Sequence, residues 1–177
     1  MGPADRTLDL SKLKEAFEAL DARLPSDVTL VVGGGSAMML GYGLPVRTTD
    51  VDAYPIAGRL DDIAALVREV GREVGLSQDW LNPYFETFAH VLPADYGVRL
   101  KEVFAGRRLR VMVLGVEDLL IMKCFAGREK DVGHARALLR RKPDLGIVER
   151  RIEALVARGV HGAADAADFL DDLVESG

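Results

Sequence analysis

The sequence of 177 residues predicts an α/β (α+β) fold: a small mixed β-sheet with helices on one face, followed by a C-terminal helical region. Three observations carry this. Short β-branched runs, VTLVV (28–32) and TTDVDAYPI (48–56), alternate with amphipathic helical patterns in the first part. Two alternating runs, VRLKEVF (98–104) and LRVMVLG (109–115), flank Ala105-Gly106-Arg107 as the arms of a hairpin. From Glu117 onward the pattern is helical, broken only at glycine and proline. The expected division is an α/β core over 1–115 and a helical region over 116–177 packed on it as one structural domain.

Taken in order, DLSKLKEAFEALDARL (9–24) places Leu10, Leu13, Phe17, Leu20 and Leu24 at helical spacing, and Pro25 ends it. VTLVV then reads as a buried strand, and SAMMLGYGL (36–44) as a short helix closed by Pro45. In the second strand, Val51 and Ala53 share one face, and Asp50 and Asp52 share the other. RLDDIAALVREVGREVG (59–75) is an amphipathic helix striped by Leu60, Ile63, Ala64, Val67 and Val70. Residues 76–93 carry no clear period. In the hairpin, Val98 and Leu100 are expected to alternate inward with Leu109, Val111 and Val113. Four helices complete the chain, from EDLLIMKCFAG, EKDVGHARALLRR, IVERRIEALVARG and ADAADFLDDLVE.

Composition narrows the function classes. Nearly half the residues are apolar, enough for a core, and the net charge of −5 argues against a generally basic nucleic-acid binder. Two local basic clusters exist, Arg107/Arg108/Arg110 and Arg140/Arg141/Lys142; each reads as solvated surface or as a binding face. A single cysteine, Cys124, excludes an intramolecular disulfide and a cysteine-based zinc site. Its apolar helical setting makes it core filler. The polar, charged start does not read as a secretory signal, and no apolar run reaches the ~20 residues of a membrane span. A soluble cytoplasmic protein with no membrane association is expected.

The chemistry concentrates in VVGGGSAMMLGYGLPVRTTDVD (31–52). Backbone amides in a glycine-rich turn ahead of a helix form an anion-binding concavity. The same glycines also suit a plain tight connection. The dinucleotide fingerprint would need glycine at position 38, which is Met38, and no P-loop run occurs. Asp50 and Asp52, two residues apart on a strand, point the same way a few ångströms apart and repel unless a cation or an exposed edge relieves them. A divalent cation with substrate phosphates would use such a pair; a structural strand end would also show it.

The arrangement resembles the nucleotidyltransferase superfamily of the polymerase-β type, on Gly34, Gly35 and Ser36 opening a helix and Asp50-x-Asp52 on the next strand. EDLLIMKCFAGREKDVGHARAL (117–138) sharpens the likeness to the AbiEii/MenT branch, the toxins of bacterial toxin–antitoxin systems and their relatives. The residues concerned are Arg47, Thr48, Thr49, Asp50 and Asp52, then Asp118, Leu119, Lys123, Ala126, Arg128, Lys130 and Asp131, and the likeness spans roughly 28–140. The resemblance implies transfer of a nucleoside monophosphate from an NTP to a hydroxyl acceptor such as tRNA. Mg2+ or Mn2+ would be held by Asp50 and Asp52, and the protein would pair with a cognate antitoxin. It also implies that Gly34, Gly35, Ser36, Arg47 and Thr49 contact the nucleotide, that Lys123 neutralises phosphate charge, and that Asp131 orients Lys123 or a substrate group. The alternative is a catalytically inactive module of the same fold that binds nucleotide, RNA or a protein.

One departure from the superfamily pattern stands out. A third carboxylate on a later strand usually faces the D-x-D pair. Asp79, Glu86 and Glu102 are the candidates for it, and Asn82 is the residue that would take the acid's place without its chemistry. His90, His134 and His161 are dispersed and do not read as metal ligands. Trp80, Tyr84 and Phe85 read as a buried aromatic cluster, with base stacking as the other option.

Overall fold

A computed structural model describes residues 7–177, without the side chains of Tyr84 and Glu86. The chain forms two compact units. One runs to Thr87 and takes in Leu100–Val113; the other comprises Phe88–Arg99 and Leu114–Gly177. The fold is mixed α/β, with a five-stranded mixed sheet and seven α-helices among the described residues. No helix there is long and apolar enough to cross a membrane.

The first unit contains α1 (Leu10–Arg23), β1 (Val28–Val32), α2 (Gly34–Tyr42), β2 (Val51–Ala57), α3 (Leu60–Val74), β3 (Leu81–Asn82), β4 (Lys101–Ala105) and β5 (Leu109–Val113). The strand order is β3-β2-β1-β5-β4. β1 runs parallel to β5 and antiparallel to β2; β3 runs parallel to β2, and β4 antiparallel to β5.

Register decides what each face carries. Val28, Leu30 and Val32 of β1 pair with Leu109, Val111 and Val113 of β5, and all six are buried. Phe104 of β4 lies opposite Val111 and meets Phe17 of α1 at 5.6 Å between ring centroids. A β-carbon at Gly41 of α2 would come within 2.5 Å of Val113, so α2 lies directly on that same face. Helices α1 and α2 therefore cover the face made by the β-branched run. Lys101, paired with Val113 on this side, donates to the Gly41 carbonyl at 2.6 Å and lies over the Tyr42 ring, capping α2. Helix α3 packs on α1, and Trp80 is buried against Phe17 with its indole N–H on the Val67 carbonyl at 2.8 Å.

Asp21 of α1 clamps the turn between β4 and β5. Its carboxylate accepts backbone N–H groups from Arg107 (3.0 Å), Arg108 (2.7 Å) and Leu109 (2.7 Å). These bonds, led by that from Arg108, hold the carboxyl below its ordinary value against the smaller effect of burial. The Asp21→Ala variant should lose on the order of 1 kcal/mol, the worth of a charged hydrogen-bond set open to solvent. Because the folded-state pKa is depressed, that contribution is complete above the unfolded value of about 3.8 and fades as pH falls through the lower folded value. Urea titrations of both proteins at pH 7 and pH 3 should show the difference shrinking in acid; a difference that persists unchanged would count against the clamp.

The second unit contains α4 (Val116–Ala126), α5 (Glu129–Leu139), α6 (Leu145–Ala157) and α7 (Ala163–Glu175). Helix α4 is its centre, packing on the other three, with Asp118 through Cys124 all buried. A helix with apolar residues on every side, its two buried charges Asp118 and Lys123 each ion-paired, belongs in such a position. Val98 departs from the hairpin expected of the sequence. It sits in a 3-10 turn, Tyr96–Arg99, at 81% exposure, and β4 begins only at Lys101. The turn exists because Arg99 reaches the buried Asp118 with Nε at 2.9 Å and Nη2 at 2.8 Å, and Asp95 with Nη2 at 3.1 Å. That bidentate anchor outweighs the β-propensity of Val98.

Candidate active site

The glycine turn is held by close contact as much as by backbone freedom. Gly34 opens α2 at φ 63°, where side-chain-bearing residues are strained, and a β-carbon there would lie 2.9 Å from Asp52 Oδ2. The Gly33 N–H donates to the Asp52 carbonyl at 3.0 Å, fixing turn to strand. The first intrahelical bond runs from the Ala37 N–H to the Gly33 carbonyl at 3.2 Å. The amides of Gly34, Gly35 and Ser36 thus have no acceptor within the helix, as in any first turn. Ser36 is buried, and its hydroxyl donates to the Gly33 carbonyl at 3.2 Å. Gly34→Ala should cost about 1–2 kcal/mol from the left-handed backbone alone. In a chain of this length, thermal melting should fall by roughly 2–8 °C; an unchanged melting temperature would show that the turn relaxes freely.

The carboxylates lie on the sheet face opposite α1 and α2. Asp52 is on β2 between the buried Val51 and Ala53, and so points the other way. Asp50 occupies the bend just before β2, half-buried, with its carbonyl accepting the Thr48 hydroxyl at 3.0 Å. Arg47 and Thr49 are exposed on the same segment, and a β-carbon at Gly35 would meet Val46 and Thr48. Asn82 of β3 pairs with Asp52 in register and donates its Nδ2 to Asp50 Oδ2 at 2.7 Å. Farther along this face, Tyr54 meets Phe85 edge-on at 6.0 Å.

The third-acid candidates are placed as follows. Asp79 is exposed in the loop before β3, its backbone N–H on the Ser77 hydroxyl. Glu102 pairs with Met112, which puts it on the carboxylate face, but three strands from β2, about 14 Å away. It is also ion-paired to Arg110. The Glu86 side chain lies outside the described residues. Among the described residues, no group of three His, Cys, Asp or Glu side chains gathers as a metal cage would require. The pair Asp50/Asp52 with the Asn82 amide is what the sheet assembles. Sequence reasoning noted Asn82 without seeing its bond to Asp50, since a two-residue strand has no period to read.

Lys123 and Asp131 fall in the second unit and meet there. Lys123 Nζ donates to Asp131 Oδ1 at 2.8 Å, both side chains being buried. Arg128 donates to Asp131 Oδ2 from Nε at 2.7 Å and from its backbone N–H at 3.2 Å, closing the N-terminus of α5. Burial pushes the Asp131 carboxyl up, but the bonds from Arg128 and Lys123 outweigh it and hold the group ionised, below its ordinary value. Burial lowers the Lys123 ammonium, with Asp131 opposing. His134 Nδ1 is 3.9 Å from Asp131 Oδ1, beyond hydrogen-bond reach, and its imidazole is lowered by burial and by the Lys123 charge. The buried Cys124 thiol is pushed up to about 12, which leaves it inert.

Comparison with curated proteins and with solved structures returns no match. A family model does match, over residues 9–170, and so takes in both the glycine turn with its D-x-D strand and the α4–α5 segment. The chain belongs to the family described as nucleotidyltransferases of unknown function (DUF6036).

Proposed function

We propose that this protein transfers a nucleoside monophosphate from an NTP to a hydroxyl acceptor, using Asp50 and Asp52 to hold Mg2+ or Mn2+. One observation carries the reading. The Asp52 carboxylate abuts Gly34 at the open amide end of α2, so cation ligands and anion-binding amides share one strand–helix corner. Two carboxylates on one face suit a hard cation that completes its shell with phosphate oxygens and water. Such a cation, when bound, neutralises charge on the phosphates. The chain's own part is positional. The Gly34 and Gly35 amides donate to phosphate oxygens, Arg47 and Thr49 flank the entry, and the acceptor hydroxyl oxygen attacks the α-phosphorus as pyrophosphate leaves and the hydroxyl proton passes to water. The resemblance to the AbiEii/MenT branch makes an RNA hydroxyl, tRNA first, the acceptor to test, with a toxin role and a cognate antitoxin as its corollary.

The test is incubation with each labelled NTP, Mg2+ and total tRNA. Label entering RNA from at least one NTP, with pyrophosphate release, is the expected result. A second reading has its own observation: the group in register with Asp52 is an amide, which cannot accept a proton as a base. On that reading, calorimetry would detect NTP binding with Mg2+ but no transfer to any acceptor.

A further inference from the structure

The geometry points to Asn82 as a positioning residue for the carboxylate pair, holding Asp50 in place for the cation without adding charge to the site. The inference rests on the reading of Asp50 and Asp52 as cation ligands. Asn82 is itself rigidly placed. β3 is two residues long, but Leu81 beside it is buried, and the preceding Trp80 is fully buried with its indole N–H bonded to Val67. The Val51 N–H, on the neighbouring strand, donates to the Trp80 carbonyl at 2.6 Å. Asn82 thus projects from a backbone anchored at the two residues that precede it, in register with Asp52.

Its side chain then crosses to the other carboxylate. A carboxylate only accepts, so the amide presents its N–H to Asp50 Oδ2, at 2.7 Å. Thr48 holds the Asp50 carbonyl at 3.0 Å, so this residue is tethered at both backbone and side chain before any cation binds. The two aspartates are like charges separated by a single residue. A third acid at position 82 would add a negative charge to a site where no other acid or histidine joins the pair among the described residues. The amide supplies orientation with no such repulsion, the part that outer partners play for metal-binding carboxylates.

The experiment is Mn2+ titration of the full chain without nucleotide, followed by the electron-paramagnetic signal of free Mn2+. It uses wild type, Asp50→Asn, Asn82→Leu and Asn82→Ala, with each melting temperature measured free of cation. Wild type should bind and Asp50→Asn should lose binding. Both Asn82 variants should bind about 10- to 100-fold more weakly, as loss of an outer-shell partner does elsewhere. A merely structural Asn82 would lower the melting temperature and leave the Mn2+ affinity of the folded protein unchanged; that result overturns the inference while leaving the cation reading intact. If wild type and Asp50→Asn titrate alike, the cation reading falls and takes the inference with it. Should Asn82→Leu fail to fold, the smaller alanine variant decides.

Discussion

Asp131→Leu should destabilise the protein by about 3–5 kcal/mol, a large share of the stability of an ordinary domain. The carboxylate is fully buried and binds Lys123 Nζ at 2.8 Å and Arg128 Nε at 2.7 Å. Removing it strands the Lys123 ammonium, itself buried, without its anion. Arg128, at 49% side-chain exposure, can turn to water; Lys123 has no such escape. Most of the loss therefore comes from one uncompensated charge. The double variant Lys123→Met/Asp131→Leu should recover most of it, because removing both partners leaves an apolar contact of similar volume. Urea unfolding of the two variants and wild type at pH 7 measures this. A single-variant loss under about 1 kcal/mol, the range of an exposed pair, or a double variant no better than the single, would show that Lys123 finds another partner. The carboxyl is held below its ordinary value, so the pair's contribution is complete above the unfolded value of about 3.8 and is lost as pH falls through the depressed folded value.

Asp50→Asn should abolish nucleotide incorporation, by roughly a thousandfold or more, while leaving stability within about 0.5 kcal/mol of wild type. On the proposed reading the substitution removes one of two anionic cation ligands, and charge neutralisation on a transferring phosphoryl group is worth several kcal/mol. The fold should tolerate it, because the amide oxygen of the substituted side chain can still accept from Asn82 Nδ2, as Asp50 Oδ2 does at 2.7 Å. Single-turnover transfer from labelled NTP, beside a thermal melt, separates the two effects. Undiminished incorporation would remove Asp50 from the chemistry; a collapsed melting temperature would mean that its bond to Asn82 is mainly structural.

Several elements were legible in the residues because their signals are local. The β-branched run VTLVV is β1 to the residue, and the stripe from Leu60 to Val70 is α3. Pro143 and the glycines at 159 and 162 mark breaks between the last helices, whereas Gly146, which with Pro143 reads as a break, lies inside α6. The superfamily resemblance was legible because the glycine turn and the D-x-D pair are each short local motifs. Where the reading missed, a long-range bond had overridden a local preference. Val98 reads as strand, but Arg99 beside it is drawn to Asp118, nineteen residues on, and the backbone turns. The start of α2 falls at Gly34, two residues ahead of Ser36, because contact with Asp52 selects a glycine there.

By itself, then, the sequence determined the order of the seven α-helices and of four of the five strands, the superfamily and the presence of a carboxylate pair, each read from short local stretches. Only the tertiary structure decided what faces that pair. Asn82 meets Asp50 across 32 positions, and Glu102 lands on the same sheet face but three strands away. Strand order and register set those distances. They follow from which buried surfaces close over one another, Trp80 on Phe17 and Val113 on Gly41, and such closures leave no period in the chain.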